Sequence, residues 1–219
     1  NYSSVKKVIK EIKPDFIFHL AAQPLVLESF KNPRKTFLTN FNGTLNVLDS
    51  VRLTSPSTPI IIITSDKVYK NNDGGIFFDE HSELKGKDPY SASKSCSEII
   101  AYSYSKSYEN MRIATVRSGN VIGGGDWSDN RIIPDIVKSI KKNKQIIIRN
   151  PKSTRPWLYV LDVCKGYIDV AIKLDESETS SLLTYNLAPT NRLSINVERI
   201  AKEFSSYLKY ERLLIENKI

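Results

Sequence analysis

Hydrophobic residues recur along the chain at two spacings, one typical of helices and one typical of buried strands. In the first segment Val5, Val8, Ile9 and Ile12 are spaced as on one face of a helix, and Pro14 ends that pattern. A short apolar run follows, as expected for a strand that is covered on both faces. The same order repeats downstream. The pattern predicts helices at 2–13, 36–52, 89–108, 132–142, 160–174 and 196–208, and strands at 15–20, 60–63, 112–117, 145–149 and 184–187.

Strands that alternate with helices predict a parallel sheet with helices packed on both faces. We therefore expect an α/β fold with a doubly wound, Rossmann-type sheet. After Gly125 the sequence becomes more polar and the apolar segments are shorter, which indicates a small substrate-binding lobe. The predicted division assigns residues 1–124 and 158–190 to the Rossmann-type domain and residues 125–157 and 191–219 to the lobe.

A Rossmann-type domain begins with a strand, a glycine-rich turn and a helix, and this turn binds the pyrophosphate of a dinucleotide. Here the first predicted strand runs into Ala21, Ala22 and Gln23 instead of glycines. The cluster Gly123–Gly125 comes late in the chain and lacks the required spacing. We therefore expect the first β-α units of the domain to be missing from this chain, so that the fragment alone binds the dinucleotide poorly and is inactive.

Charge and cysteine content narrow the class of protein. The chain has 32 Lys and Arg residues against 24 Asp and Glu residues, a formal net charge of +8. The basic residues are scattered, with one modest cluster at 138–144, so a solvated helix surface is favoured over a nucleic-acid groove. No apolar run approaches the roughly 20 residues of a membrane helix. Cys96 and Cys164 form neither a metal-binding nor a disulfide pattern. We expect a cytoplasmic protein with no nucleic-acid or membrane partner and no metal.

Tyr90 and Lys94 are the first candidate catalytic residues. Asp88 can cap a helix and Pro89 suits its first position, so Tyr90 and Lys94 lie four residues apart on one helix face. A phenol is a poor base at neutral pH, but a nearby lysine cation and the positive end of the helix favour the phenolate. The pair could then take a proton from a hydroxyl group. Alone, the pattern Y-x-x-x-K is weak, because chance produces it often.

A polar turn follows the second predicted strand and reads Thr64-Ser65-Asp66-Lys67. Catalytic groups of a parallel sheet gather at the carboxyl ends of its strands, so Ser65 and Tyr90 could lie at one site. Ser65 could hydrogen-bond a substrate oxygen. Asp66 and Lys67 add an acid and a potential base, which is more than a simple oxidation requires. The structural alternative is a polar turn with a local ion pair.

Six motifs occur in order and carry a resemblance to a known family. They are HLAAQP from His19, TSDKVY from Thr64, DPYSASK from Asp88, GNVIGGGDW from Gly119, RIIPD from Arg131 and RNPKSTRPW from Arg149. Together they resemble the extended short-chain dehydrogenase/reductase family, and within it the nucleotide-sugar dehydratases of the CDP-glucose 4,6-dehydratase subgroup. Y-x-x-x-K is shared by the whole superfamily, whereas GGGDW and RPW together with S-D-K indicate the subgroup.

The resemblance implies a lyase that uses bound NAD to convert CDP-glucose to CDP-4-dehydro-6-deoxyglucose. C4 is oxidised, water is lost across C5 and C6, and the hydride returns to C6. By the same resemblance Tyr90 is the base at C4, Lys94 also holds the nicotinamide ribose, and Ser65 polarises the C4 oxygen. Asp66 matches the acid that protonates the leaving C6 hydroxyl.

Lys67 departs from the similar dTDP-glucose enzymes, which carry glutamate at this position. A lysine can remove the C5 proton only in its neutral form, which requires burial or a neighbouring cation. Alternatively, a charged Lys67 stabilises the enolate and another group takes the proton. Both roles are open at the level of the sequence.

The remaining site residues also follow from the resemblance. Ala21, Ala22, Gln23 and Asn40 match positions beside the cofactor, although close packing would explain the same residue types. Four residues match positions around the nucleotide diphosphate, where arginines form charge-assisted hydrogen bonds; each arginine alone could equally be a solvated surface residue. These four are Asn120, Arg131, Arg149 and Arg155.

We also expect a homodimer when the protein is full length, with an interface on the helices that contain Asn40 and Tyr90. The apolar stripe that would serve this interface could instead cover the sheet. It consists of Phe37, Phe41, Leu45 and Leu48. Two other functions compete with the proposed one: a dehydratase or epimerase for a UDP- or dTDP-sugar, and a catalytically silent nucleotide-binding member of the family.

Overall fold

The computed structural model describes residues 1–71, 77–148, 150–177, 182–189 and 195–215. In chain order the helices are α1 (Tyr2–Ile12), α2 (Val26–Lys31), α3 (Pro33–Thr54), α4 (Pro89–Ser107), α5 (Ile132–Lys141), α6 (Val160–Glu176) and α7 (Val197–Tyr207). The strands are β1 (Ile17–His19), β2 (Ile60–Ile63), β3 (Ile113–Ser118), β4 (Val121–Ile122), β5 (Ile146–Ile148), β6 (Thr154–Arg155), β7 (Leu158–Tyr159), β8 (Leu183–Leu187), β9 (Ile195–Asn196) and β10 (Leu213–Ile215). Among these described residues no helix is long and apolar enough to cross a membrane.

Contacts divide the chain into two compact units, residues 1–118 with 164–187 and residues 119–163 with 188–219. The edges of these units differ by a few residues from the predicted division. The reason is a parallel pairing of β4 with β7, in which Val121 lies opposite Leu158 and Ile122 opposite Tyr159. This pairing places 119–124 and 158–163 in the second unit.

The first unit contains a four-stranded sheet in the order β1-β2-β3-β8, and every neighbouring pair in it is parallel. The predicted α/β fold with a parallel Rossmann-type sheet is confirmed. Ile60, Ile61 and Ile113 are fully buried, because helices cover the strands from outside. Ile60, Ile62 and Ile113 pack with Ile9 of α1 and with a set of helix and loop residues. That set is Leu48, Val51, Ala101 and Met111.

The seam between α3 and α4 differs from this apolar core because it is lined by hydroxyl and amide groups. Asn40 and Thr44 of α3 face Ser93 and Ser97 of α4, and all four are at most 1% exposed. The Asn40 amide donates to Ser93 Oγ (2.9 Å), and the hydroxyls of Thr44 and Ser97 lie 3.1 Å apart. Small side chains let the helix backbones approach closely, and the hydrogen bonds compensate the burial of polar groups.

The second unit is built from short strand pairs and two helices. β5 pairs with β10 in parallel, and β6 pairs with β9 in antiparallel fashion. Ile136 of α5 and Ala201 of α7 pack against Ile146 and Ile148 of β5 in a separate core. The strands β4, β6, β7, β9 and β10, like α2, have no counterpart among the predicted elements. They are two to six residues long, too short to show a hydrophobic period.

Candidate active site

The first turn of α4 fixes the orientation of Tyr90 and Lys94. The Asp88 carboxylate caps this turn by accepting hydrogen bonds from the Ser91 backbone N–H (3.0 Å) and the Ser91 hydroxyl (2.6 Å). Gly86 lies directly against the turn: a Cβ at this position would be 2.3 Å from the Ser91 carbonyl carbon. The chain can therefore pass this close only without a side chain at residue 86. Tyr90 and Lys94 are 8% and 5% exposed.

Lys94 links α4 to the carboxyl end of β2. Its Nζ donates to the carbonyl oxygen of Ile63 at 2.9 Å. Burial lowers the pKa of Lys94 from 10.5 to about 8, and the charge of Glu98 partly opposes this shift. An ammonium has three donors, and the other two have no partner among the described residues. These donors are available to hydroxyl groups of a ligand.

The turn after β2 carries Ser65, Asp66 and Lys67. Ser65 is buried, and its hydroxyl accepts from the Lys67 backbone N–H (3.3 Å) and donates to Asp66 Oδ1 (3.2 Å). Lys67 Nζ lies 3.6 Å from Asp66 Oδ1, and both side chains are about one third exposed. The segment Asp66–Val68 packs against α4. The structure thus places this turn beside the helix that carries Tyr90 and Lys94.

The backbone of the loop after β1 is bound by the side chain of Asn40. Asn40 Oδ1 accepts from the Gln23 backbone N–H (2.7 Å), and Asn40 Nδ2 donates to the Gln23 carbonyl oxygen (3.1 Å). With its second donor on Ser93, the amide has both N–H groups satisfied within the chain. Asn40 therefore fixes the loop, and its direct contact with a cofactor stays a prediction.

The three loop residues differ in how they are placed. The Gln23 side chain donates to Thr36 Oγ1 (2.9 Å) and accepts from the Leu25 backbone N–H (2.6 Å). Ala21 is exposed and Ala22 is half-buried. Two small side chains in a fixed loop leave the backbone accessible. Cofactor contact by Ala21, Ala22 and Gln23 stays a prediction, and backbone atoms would make it.

His19 lies at the end of β1 and is 8% exposed. Its Nε2 lies 3.2 Å from Thr44 Oγ1. Burial, with a smaller contribution from the Lys94 charge, lowers the pKa of His19 from 6.5 to about 4. His19 is therefore neutral near pH 7 and belongs to the packing of this unit.

A buried ion pair that the sequence analysis missed lies next to these residues. Arg117 of β3 binds Glu98 of α4 through two hydrogen bonds of 2.9 Å, from Nε to Oε1 and from Nη2 to Oε2. The side chains of Arg117 and Glu98 are 4% and 1% exposed. Two patterns could have revealed the pair: Glu98 follows Lys94 by one helical turn, and Arg117 is a charged residue within the sheet strand Ile113–Ser118.

The predicted substrate residues belong to the second unit. Asn120 Oδ1 is buried and has no hydrogen-bond partner among the described residues. Arg131 pairs with Asp126, with Nη1 3.1 Å from Oδ2. Arg155 is exposed, and its guanidinium donates to the neighbouring carbonyl oxygen of Thr154. The fourth predicted residue, Arg149, lies outside the described residues.

Comparison with known proteins shows the family. Residues 1–188 match the family described as NAD dependent epimerase/dehydratase. The CDP-glucose 4,6-dehydratase of Salmonella typhimurium is 40% identical over 208 residues, which cover 91% of this chain. The chain therefore belongs to the NAD-dependent epimerase/dehydratase family, as its motifs predicted.

Other relatives show how varied the activities in this family are. The GDP-6-deoxy-D-talose 4-dehydrogenase of Aggregatibacter actinomycetemcomitans is 33% identical and is matched over 84% of this chain and 61% of its own length. The solved dTDP-glucose 4,6-dehydratase of Streptomyces venezuelae, with NAD bound, has a TM-score of 0.84 and 20% identity, over 100% of this chain and 65% of that chain. The chain spans 58% of the length of the Salmonella relative.

Proposed function

We propose that the protein to which this chain belongs is an NAD-dependent CDP-glucose 4,6-dehydratase, which forms CDP-4-dehydro-6-deoxyglucose. The observation that carries the proposal is the packing of the Ser65-Asp66-Lys67 turn against the helix of Tyr90 and Lys94. A base, a hydroxyl donor, a carboxyl group and a second lysine at one site are more than a dehydrogenase or an epimerase needs. The 40% identity to the Salmonella enzyme supports the same substrate.

The residues of the first unit suit the binding of NAD. Two donors of Lys94 have no partner among the described residues and suit the hydroxyls of the nicotinamide ribose, and Asn40 fixes the loop that contains Ala21, Ala22 and Gln23. When bound, NAD supplies the hydride acceptor for oxidation at C4 and the hydride donor for reduction at C6.

Proton transfers are assigned to side chains at this site. Tyr90 takes the proton from the C4 hydroxyl, helped by the nearby Lys94 cation. Ser65, which is buried and anchored to its own turn, exchanges its hydrogen bond to Asp66 Oδ1 for one to the C4 oxygen when substrate binds. A carbonyl at C4 makes the C5 proton acidic, so oxidation has to precede the loss of water. Asp66 then delivers a proton to the leaving C6 hydroxyl.

Lys67 serves the step at C5 in one of two forms. Neutral, it removes the C5 proton; charged, it stabilises the enolate while another group takes that proton. Lys67 Nζ lies 3.6 Å from Asp66 Oδ1, so both side chains are close enough to act at adjacent carbon atoms of one substrate. When Asp66 gives its proton to the leaving hydroxyl, it becomes a carboxylate beside the Lys67 side chain.

The second unit provides the groups that hold the nucleotide diphosphate. Asn120 offers a buried acceptor without a partner among the described residues, and such a group costs free energy unless a ligand or water satisfies it. Arg155 has no carboxylate partner in the described part of the chain. Arg131 can exchange its pairing with Asp126 for a phosphate. We assign these three residues to the substrate, with Arg149 as the fourth.

The test of the proposed function uses the whole protein. Mass spectrometry of the native protein identifies the bound cofactor, and incubation with CDP-, UDP- and dTDP-glucose identifies the substrate. We expect bound NAD and a product that has lost one water, formed fastest from CDP-glucose. Faster turnover of UDP- or dTDP-glucose would assign a related enzyme. Failure to bind NAD, together with no turnover, would assign a silent nucleotide-binding protein.

We also propose that the whole protein is a homodimer that uses the outer faces of α3 and α4. Leu48 of the predicted stripe is fully buried against the sheet, so this part of the stripe covers the core, while Phe37, Phe41 and Leu45 are half-buried. Leu38, Ile99 and Tyr102 on the same two helices are 45% to 56% exposed. Replacing Ile99 by Glu should shift the mass measured by light scattering to a monomer; a monomeric parent protein would exclude the dimer.

A further inference from the structure

The stretch from Ile63 to Tyr69 is tied to one face of α4 by three hydrogen bonds. Lys94 Nζ donates to the Ile63 carbonyl oxygen at 2.9 Å, and Ser95 Oγ donates to the Val68 carbonyl oxygen at 2.9 Å. Thr64 Oγ1 donates to Glu98 Oε1 at 2.5 Å. These bonds flank Ser65, Asp66 and Lys67 on both sides. The Thr64 bond is the one that reaches the buried ion pair.

Arg117 connects the same ion pair to the far end of the stretch. Its Nη1 donates to the Tyr69 hydroxyl at 2.9 Å, and its guanidinium lies over the Tyr69 ring at 5.0 Å. The Tyr69 hydroxyl donates to Asn186 Oδ1 at 2.5 Å. Tyr69 is 4% exposed. Thr64 and Tyr69, the two residues that bracket the turn, are therefore both bonded to the Glu98–Arg117 pair.

The network continues through the segment before α4. Arg117 Nη1 also donates to the Glu80 carbonyl oxygen at 3.1 Å, and the Asn186 backbone N–H donates to Glu80 Oε1 at 2.7 Å. The Tyr69 ring stacks on Phe78 with ring centres 4.9 Å apart. A buried, fully hydrogen-bonded network of this kind is rigid, because any displacement leaves a polar group unsatisfied.

We propose that Glu98, Arg117, Thr64 and Tyr69 form a positioning network that fixes the turn of Ser65, Asp66 and Lys67 relative to Tyr90 and Lys94. None of the four touches the reacting atoms in this proposal; they act through the residues they hold. Apolar side chains packed at this place would stabilise the fold as well as a buried ion pair does. Stability alone therefore does not account for the network. The inference rests on the proposed function, because it concerns the geometry of that same site.

The site demands such precision because its two halves belong to different elements. Tyr90 and Ser65 must meet one C4 oxygen, while Asp66 must reach the neighbouring C6 hydroxyl. A displacement of about 1 Å between catalytic groups can cost about 100-fold in rate. Weakening the network should therefore lower kcat and leave KM nearly unchanged, since the proposed diphosphate-binding residues are elsewhere in the sequence.

The variants for the test are Thr64→Val and Tyr69→Phe in the whole protein. Each removes one hydroxyl, keeps the shape of the side chain and leaves the ion pair in place, whereas Glu98→Gln would leave a buried guanidinium unpaired and endanger folding. Two matched controls remove a buried hydroxyl outside the network. Thr115→Val breaks the contact with Thr184 Oγ1 (3.1 Å), and Tyr167→Phe breaks the contact with Ser118 Oγ (3.3 Å).

We expect kcat for CDP-glucose to fall about 10- to 100-fold in Thr64→Val and Tyr69→Phe, with KM within about threefold of the parent. Both controls should retain the parent kcat, although their melting temperatures should fall by about as much as those of the two network variants. A kcat within twofold of the matched control for both network variants would overturn the proposal, as would an equal loss of kcat in the controls.

A second readout does not depend on the substrate. Amide hydrogen exchange over residues 64–70, measured without ligand, should be faster in Thr64→Val than in Thr115→Val, because the turn has lost an anchor. If the parent protein shows no turnover, the proposed function fails. The exchange rates of Thr64→Val and Thr115→Val then test by themselves whether the network positions the turn. Unchanged exchange over residues 64–70 would then reject it.

Discussion

The two units of the chain prepare their functional side chains in opposite ways. In the first unit Ser65, Tyr90 and Lys94 are each at most 8% exposed, and the residues around them are hydrogen-bonded to one another. In the second unit Arg131 is partly exposed and Arg155 is exposed, and their partners are a local carboxylate and a neighbouring backbone carbonyl. One unit has a fixed arrangement before any ligand binds, and the other has groups that can change partner.

This difference matches what each kind of group has to do. A proton transfer requires atoms within hydrogen-bond distance at the transition state, so positional freedom directly costs rate. Binding a diphosphate depends on charge and on forked hydrogen bonds, and long arginine side chains can form these after the ligand arrives. Substitutions in the first unit should therefore act mainly on kcat, and those in the second mainly on KM.

The largest effect is expected for Tyr90→Phe in the whole protein. This change removes the base that starts the reaction, so neither reduced cofactor nor exchange of the C5 hydrogen with solvent should be detected. We expect activity to fall by about 10⁴-fold, the upper end for general acid–base catalysis. Tyr207→Phe, which changes a tyrosine that is 86% exposed, is the control. Turnover above one hundredth of the parent rate in Tyr90→Phe would remove Tyr90 from this role.

Asp66→Asn and Lys67→Met should each lower the turnover rate about 10²- to 10³-fold. Both should stop the reaction after the oxidation at C4. Both should accumulate bound reduced cofactor, visible in its absorbance, because C4 is oxidised but water is not lost. Deuterium from solvent should still enter C5 in Asp66→Asn. If Lys67 is the C5 base, Lys67→Met should show no such exchange; if Lys67 stabilises the enolate, exchange should be slowed but present.

The control for this pair is Lys70→Met, which removes a lysine that pairs with Glu83 at 2.7 Å and is 42% exposed. It should retain the parent rate. A Lys67→Met variant that turns over within a few-fold of the parent would show that Lys67 is a structural or substrate-orienting residue.

Arg155→Ala should raise KM for the nucleotide sugar about tenfold, the effect of losing a charge-assisted hydrogen bond. Its kcat should change less than twofold, since the first unit is untouched. Arg199→Ala is the control in the same unit, because Arg199 is 62% exposed and pairs with Glu203 on its own helix. A fall in kcat without a change in KM would contradict the comparison between the two units.

The last prediction concerns the stability of the fold and His19. The unfolded imidazole binds a proton near pH 6.5 and the folded one only near pH 4, so between these values the unfolded state holds more protons. The free energy of unfolding should therefore fall as pH is lowered through this window, by up to about 3 kcal/mol. Urea titrations of His19→Gln should show a shallower pH dependence than the parent. His81→Gln, at an exposed position, should match the parent.

Sequence reasoning predicted the elements whose apolar period is long enough to read. The helix of Tyr90, the strand Ile60–Ile63 and the parallel sheet follow from local spacing, because covering a sheet imposes that spacing. The candidate catalytic residues were found because they lie at strand ends and in recognisable motifs. The network around Glu98 and Arg117 was missed, because its members are 19 to 117 residues apart in sequence. The pairing of such distant polar residues is fixed by the tertiary fold.

The hydroxyl-lined seam between α3 and α4 also bears on the order in which the chain assembles. Ser93, Ser97 and Thr44 each donate to a carbonyl of their own helix. These hydroxyls are satisfied before the helices meet, so docking strips water from them at little cost. The amide of Asn40 differs, because its hydrogen-bond partners Gln23 and Ser93 lie on other elements. We expect α3 and α4 to pack together first and the loop at Gln23 to form its hydrogen bonds to Asn40 last. This last step would favour one register of the two helices over registers shifted along the helix axis.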